Sequence, residues 1–206
     1  MISKLISRIY SKAMSESDES TQSDSSTCIS IRNRFSFDFI NEKLIQKICL
    51  LLEALINFNK KKSLKKKIYK RTSFDLKRIP FISLYDYIYR IIKYTHIDDN
   101  TLIKALIYLD LFNRNNKYII SYFNIHKLIF VAIVLSVKYS ETGFLTNKSY
   151  AKIGGISINE LYNLEIKFCR YINYRLYISK ELFEKYSKHI YNDYIFVFTR
   201  EKLRTR

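Results

Sequence analysis

The sequence predicts an all-α protein, and three observations carry that prediction. Glycine and proline are scarce, 3 and 1 in 206 residues, whereas an all-β chain needs turn residues at short intervals. Residues 128–137 are apolar on every side of a helix apart from Ser136. Elsewhere the apolar residues recur at helical spacing, as in Leu44, Ile48, Leu51, Leu52, Leu55 and Phe58. A helix that is apolar all round belongs in a protein interior or a membrane. A membrane span needs about 20 apolar residues and this run is about half that. Residues 123–140 are therefore expected to be the central helix of a bundle, capped by Asn124, with Lys138 as a charge at its end.

The other elements follow in order. Residues 1–14 are basic and lack the apolar core of a signal peptide. Residues 15–26 are an acidic Ser/Thr tract with nothing to build a core, so 1–36 is expected to be a disordered tail. The stripe from Leu44 to Phe58 makes 37–59 a helix, with Asp38 as its cap. The run from Lys60 to Arg78 is strongly basic, K-K-K-S-L-K-K-K-I-Y-K-R at its start. It reads as a linker, with nuclear import or a nucleic-acid contact as its functional alternatives. Ser83 caps a helix carrying Leu84, Ile88, Ile91 and Ile92, which ends near Thr95. Asp98 or Asp99 caps the next, with Leu102, Ala105, Leu106 and Leu109 inward, stopped by Asn113, Asn115 and Asn116. After the central helix, a short helix holding Tyr150 and Ala151 ends at Gly154-Gly155, where glycine supplies a left-handed turn. Ser157 and Glu160 form a capping box ahead of Leu161, Leu164, Phe168 and Ile172. Residues 179–191 make a last amphipathic helix with Leu182, Phe183, Tyr186 and Ile190, and 193–206 is a short tail. Five helices joined by short turns, with one apolar helix in the middle, thus occupy 79–192.

Composition narrows the chemistry. The net charge of +17 fits a polyanion or an acidic protein as partner. It also fits solvated surface lysines, which are spread widely as well as clustered. Cys28, Cys49 and Cys169 are scattered, which fits reduced thiols and excludes a disulfide framework. No C-x-x-C is present, and His96, His126 and His189 lie far apart, so no metal site is expected. His96 with Asp98 or Asp99 resembles a base and its orienter, but no nucleophile accompanies them. Glu160 and Glu165 are five residues apart, on different helix faces. No catalytic residue and no cofactor is therefore expected.

Several stretches, in order, resemble the P-type cyclins, called U-type in plants. P-F-I-S-L-Y-D-Y-I-Y-R-I-I-K-Y from Pro80 is similar to the opening of their cyclin box. A-L-I-Y-L-D-L-F (105–112) resembles the second box helix. F-N-I-H-K-L (123–128) with V-K-Y (137–139) resembles the third. S-Y-A-K-I-G-G-I-S (149–157) is the most specific match, to the junction of the fourth and fifth. N-E-L-Y-N-L-E-I-K-F (159–168) resembles the fifth. The resemblance implies a single five-helix cyclin box over 79–192, preceded by an N-terminal helix, in a non-catalytic subunit found in nucleus and cytoplasm. Its implied partner is a cyclin-dependent protein kinase, bound beside the kinase C-helix and activated by it, with no membrane contact. The resemblance assigns Lys138 and Glu165 to gripping kinase backbone groups. The two are expected on one exposed face at a groove between the third and fifth box helices, unpaired in the free chain, against the alternative that they pair with each other. Arg90 and Asp110 are implied as an internal pair that stabilises the box. Leu111 stands where the family has Arg, and 140–143 replaces an acidic stretch. The competing class is a nucleic-acid-binding cyclin-box protein similar to transcription factor IIB, acting through Lys60 to Arg78. Against it stand the single box, the absent zinc ribbon and the match at 149–157. A scaffold with no activating effect is a third reading.

Overall fold

The computed structural model describes residues 41–66, 71–114, 119–140 and 143–191, the side chains of 61–66 excepted. Among these are seven helices and no strand: α1 (Glu42–Lys66), α2 (Leu84–Thr95), α3 (Asp99–Arg114), α4 (Ile125–Ser140), α5 (Asn147–Gly154), α6 (Ile158–Tyr171) and α7 (Lys180–Tyr191). The expected tails, the acidic serine tract, Asp38 and Cys28 lie outside the described residues.

Helix ends follow local chemistry. The Asn41 side chain accepts from the Leu44 N–H at 3.1 Å and so starts α1. Ser83 accepts from Asp86 N–H at 3.0 Å, Asp98 from Thr101 N–H at 2.7 Å and Ser157 from Glu160 N–H at 3.1 Å. Each satisfies a backbone donor that the first turn leaves free. His96 closes α2, and Gly155 closes α5, both in the left-handed region. Asn124 does not cap α4 as expected. Its Oδ1 accepts from Ser121 N–H at 2.8 Å, and its Nδ2 donates to Ile119 O at 2.9 Å and Asp75 Oδ1 at 3.2 Å. It ties the preceding loop together instead.

α4 is the centre. All of its residues from Ile125 to Val137 are buried except Lys127, and α2, α3, α5 and α6 pack on it. α1 lies against α2 and α7, burying Leu44, Ile48, Leu52, Leu55 and Ile56. α1 runs past the expected boundary at Asn59 to Lys66, because Lys and Leu are good helix formers and nothing there breaks the helix. The described remainder of the expected basic linker, 71–78, is not simply solvated either. Phe74 is fully buried, with ring centroids 5.6 Å from Phe112 and 6.2 Å from Phe168, and Leu76 N–H donates to Phe123 O at 2.8 Å.

Candidate protein-binding site

Lys138 stands in the last turn of α4, where a cation suits the negative end of the helix dipole. α4 leaves the core at this point: Val137 is buried, Lys138 half-buried, and Tyr139 and Ser140 exposed. Glu165 comes from the middle of α6 and is only 9% exposed. The Lys138 Nζ donates to Glu165 Oε1 at 2.5 Å. The expectation that these two stand unpaired and exposed in the free chain is therefore corrected: they pair with each other. A carboxylate this buried needs a countercharge, and the end of α4 supplies one. A second pair, Lys127 to Glu160 at 2.7 Å, joins the first turns of the same two helices. It also draws the Glu160 side chain away from the expected capping box.

α6 carries two stripes. Leu161, Leu164 and Phe168 face the core. Ile158, Tyr162 and Ile166, spaced by four, are 38%, 50% and 49% exposed. At roughly 100° per residue, Glu165 falls on the border between the two stripes. Tyr139 in the last turn of α4, and Phe144 and Leu145 ahead of α5, are exposed as well. An exposed apolar patch with charges at its edge is the usual chemistry of a protein-binding surface. The stripe was missed in the sequence reading. Its signal is present, because a helix whose core stripe is already complete has no internal use for a second.

Arg90 and Asp110 do not form the expected pair. Arg90 is exposed on α2. Asp110 is fully buried on α3, where Arg114 Nη2 reaches it at 2.7 Å and Tyr186 Oη of α7 donates to it at 2.5 Å. Its countercharge comes from one turn along its own helix, so Asp110 locks α7 to α3. Burial, and then the Asp110 carboxylate, push the Tyr186 phenol up and keep it a donor.

No group of metal-ligating residues occurs among the described residues. No described helix is long and apolar enough to cross a membrane. Cys49 is buried and its thiol is pushed up to about 12, mainly by burial. Burial, and then the Glu165 charge, also push Cys169 up, so neither is an activated thiol.

Comparison with known proteins adds sequence relatives. The family model described as Cyclin matches residues 1–176. Cyclin-U2-1 of Arabidopsis thaliana is 33% identical over 118 residues, covering 57% of this chain and 53% of that protein. The PHO85 cyclin-like protein psl1 of Schizosaccharomyces pombe is 32% identical over 164 residues, covering 72% and 66%. PHO85 cyclin-7 of Saccharomyces cerevisiae is 28% identical over 176 residues, covering 75% and 62%. The chain spans about half the length of the plant relatives it matches.

Proposed function

The chain belongs to the cyclin family, in its P- and U-type branch, and from that premise we propose that it is the non-catalytic regulatory subunit of a cyclin-dependent protein kinase. Relatives named PHO85 cyclins support a kinase of that class as the partner. The observation that carries the reading is the border position of the Lys138–Glu165 pair, beside the exposed stripe Ile158, Tyr162 and Ile166. The stripe offers apolar area to a helix of the partner. The ion pair offers a donor and an acceptor at the edge of that area. On docking, the ammonium turns to kinase carbonyls and the carboxylate to kinase N–H groups, exchanging one charge-assisted contact for several. A kinase is active when its strand-β3 lysine pairs with the C-helix glutamate. Binding energy that favours the inward C-helix shifts the kinase toward that state. Nucleus and cytoplasm are the compartments that suit this role.

The test is capture of the kinase from source cells by the tagged full chain, alongside melting of the isolated chain. Glu165→Ala is expected to weaken kinase binding by about 2–5 kcal/mol, as for one member of a buried charged contact. The free chain is expected to lose only about 1 kcal/mol, since Lys138, 23% exposed at its side chain, swings into water at the helix end. Normal capture and activation by the variant would sink the site. Salt-sensitive binding to DNA without a kinase would favour the nucleic-acid reading of Lys60 to Arg78 instead.

A further inference from the structure

A cleft of about 240 Å³ opens where the start of α1 meets the end of α2 and the start of α3. Its apolar wall is Ile45, Ile92, Ile97 and Leu102, and its polar edge carries Asp98 and Asp99. Asp99 Oδ2 accepts from Asn41 Nδ2 at 2.8 Å and from Tyr191 Oη at 3.1 Å. Asp98 accepts from the Thr101 N–H at 2.7 Å and from Asn100 Nδ2 at 3.3 Å. Every one of these donors is neutral. Among the described residues, neither Asp98 nor Asp99 is a member of an ion pair such as those of Asp110, Glu160, Glu165 and Glu184. In a chain of net charge +17, two adjacent carboxylates at the rim of an apolar hollow make no direct ion pair among the described residues, Lys104 acting on Asp98 only through its field.

We propose that this cleft docks a basic peptide segment of a partner protein, seating one arginine or lysine side chain. The methylene stem lies on Ile92, Ile97 and Leu102, and the cationic head meets Asp98 and Asp99. The size fits, because pockets for drug-sized ligands start near 300 Å³, whereas one long side chain needs less. The charge fits as well. A neutral occupant would desolvate two carboxylates with nothing in return, and an anion would be repelled. Burial alone would raise Asp98, but bonds from Thr101 and Asn100 and the field of Lys104 outweigh it and hold the carboxyl below its usual range. Asp98 is thus charged at neutral pH. A long cationic side chain, apolar along its stem and charged at its tip, matches both halves of the cleft. The cleft shares no residue with α4 or α6, so the inference does not rest on the kinase-binding reading.

The test titrates the full chain, with isoleucine and leucine methyls isotope-labelled, using the peptide acetyl-Ala-Ala-Arg-Ala-Ala-amide. A second peptide carries norleucine in place of arginine. The arginine peptide is expected to shift the methyl signals of Ile45, Ile92, Ile97 and Leu102, less so as salt rises. The norleucine peptide, and the Asp98→Asn/Asp99→Asn double variant, are expected to bind at least about tenfold more weakly. Asparagine still caps α3, and the norleucine arm uses the unaltered protein, so a folding defect cannot imitate the result. Absent shifts at these methyls, or equal binding of the two peptides, overturns the proposal. A gain in affinity on Arg32→Ala/Arg34→Ala also overturns it, because the occupant would then be the chain's own preceding segment.

Discussion

His126 shows how one side chain couples this fold to pH. It is buried on α4, its ring edge-on to Tyr87 at 5.2 Å between centroids. Its Nε2 lies 3.2 Å from the Ile82 carbonyl. A carbonyl only accepts, so Nε2 carries the proton and Nδ1 is the bare nitrogen. Nδ1 is buried and has no partner. Protonating it would bury an unpaired charge, and burial accordingly holds His126 below its ordinary 6.5, with the Ile82 bond a smaller opposing effect. A depressed histidine is neutral when folded, while the unfolded chain still takes up its proton near 6.5. The unfolded state therefore binds more protons once pH falls below that value, and stability declines there, by at most about 1.4 kcal/mol per pH unit. Melting from pH 7.5 to 5.5 is expected to show this decline, and His126→Gln should flatten part of it. Parallel pH profiles for the two proteins would refute the account.

At the scale of elements, the two glycines ending α5 do different work. Gly155 has φ +70 and open space around it. A Cβ on Gly154 would lie 2.4 Å from the buried ring of Phe130 on α4. Gly155→Ala is expected to cost about 1–2 kcal/mol through its left-handed backbone, and Gly155→Asn to recover part of that. Gly154→Ala should cost about 1–3 kcal/mol through overpacking, with Phe130→Leu relieving it. Melting of the four variants checks both. Failure of Phe130→Leu to offset Gly154→Ala would mean that the α4–α5 contact is looser than described. The same contrast explains what the sequence made legible. Caps at Ser83 and Ser157 are decisions within four residues and are readable, whereas the sequence leaves Asp98 or Asp99 open as the cap of α3 and places the turn after α5 only at Gly154-Gly155. Asn124 was not readable, because one of its partners, Asp75, comes from 49 residues away. The Asp110 pair was misassigned although Arg114, at i+4, is a standard helix partner. The resemblance had drawn attention to Arg90 instead. Lys138 stands out in the sequence as a charge at the end of an apolar helix, but its role and its pairing with Glu165 rest on resemblance, and nothing in their own spacing foretells that α4 and α6 bring them to 2.5 Å.

For the whole molecule, the question is whether α1 is an appendage or part of the core. The sequence separates it from the box by a basic run that reads as a linker. The packing argues for one body. Ile48, Leu52 and Leu55 are fully buried, and α1 packs on α2, the next helix described, and on α7, the last one described. Polar contacts reinforce this. Asn59 Nδ2 donates to Asn113 Oδ1 at 3.3 Å and to Ile120 O at 3.2 Å, and Lys47 Nζ donates to Tyr191 O at 3.4 Å. Tyr191 in turn bonds Asp99, so α1 and α7 brace the same end of α3. Brief trypsin treatment is therefore expected to nick the chain between α1 and α2 without releasing α1, and the pieces should co-elute on gel filtration. Leu52→Ala should cost about 2–5 kcal/mol, the range for a large-to-small change in a core. It should do so in one cooperative transition, because α1 and the box would melt together. If the nicked pieces separate, or if Leu52→Ala leaves the main transition where it was, α1 is an appendage. The cleft at Asp98 and Asp99 would then lose the wall that Ile45 provides.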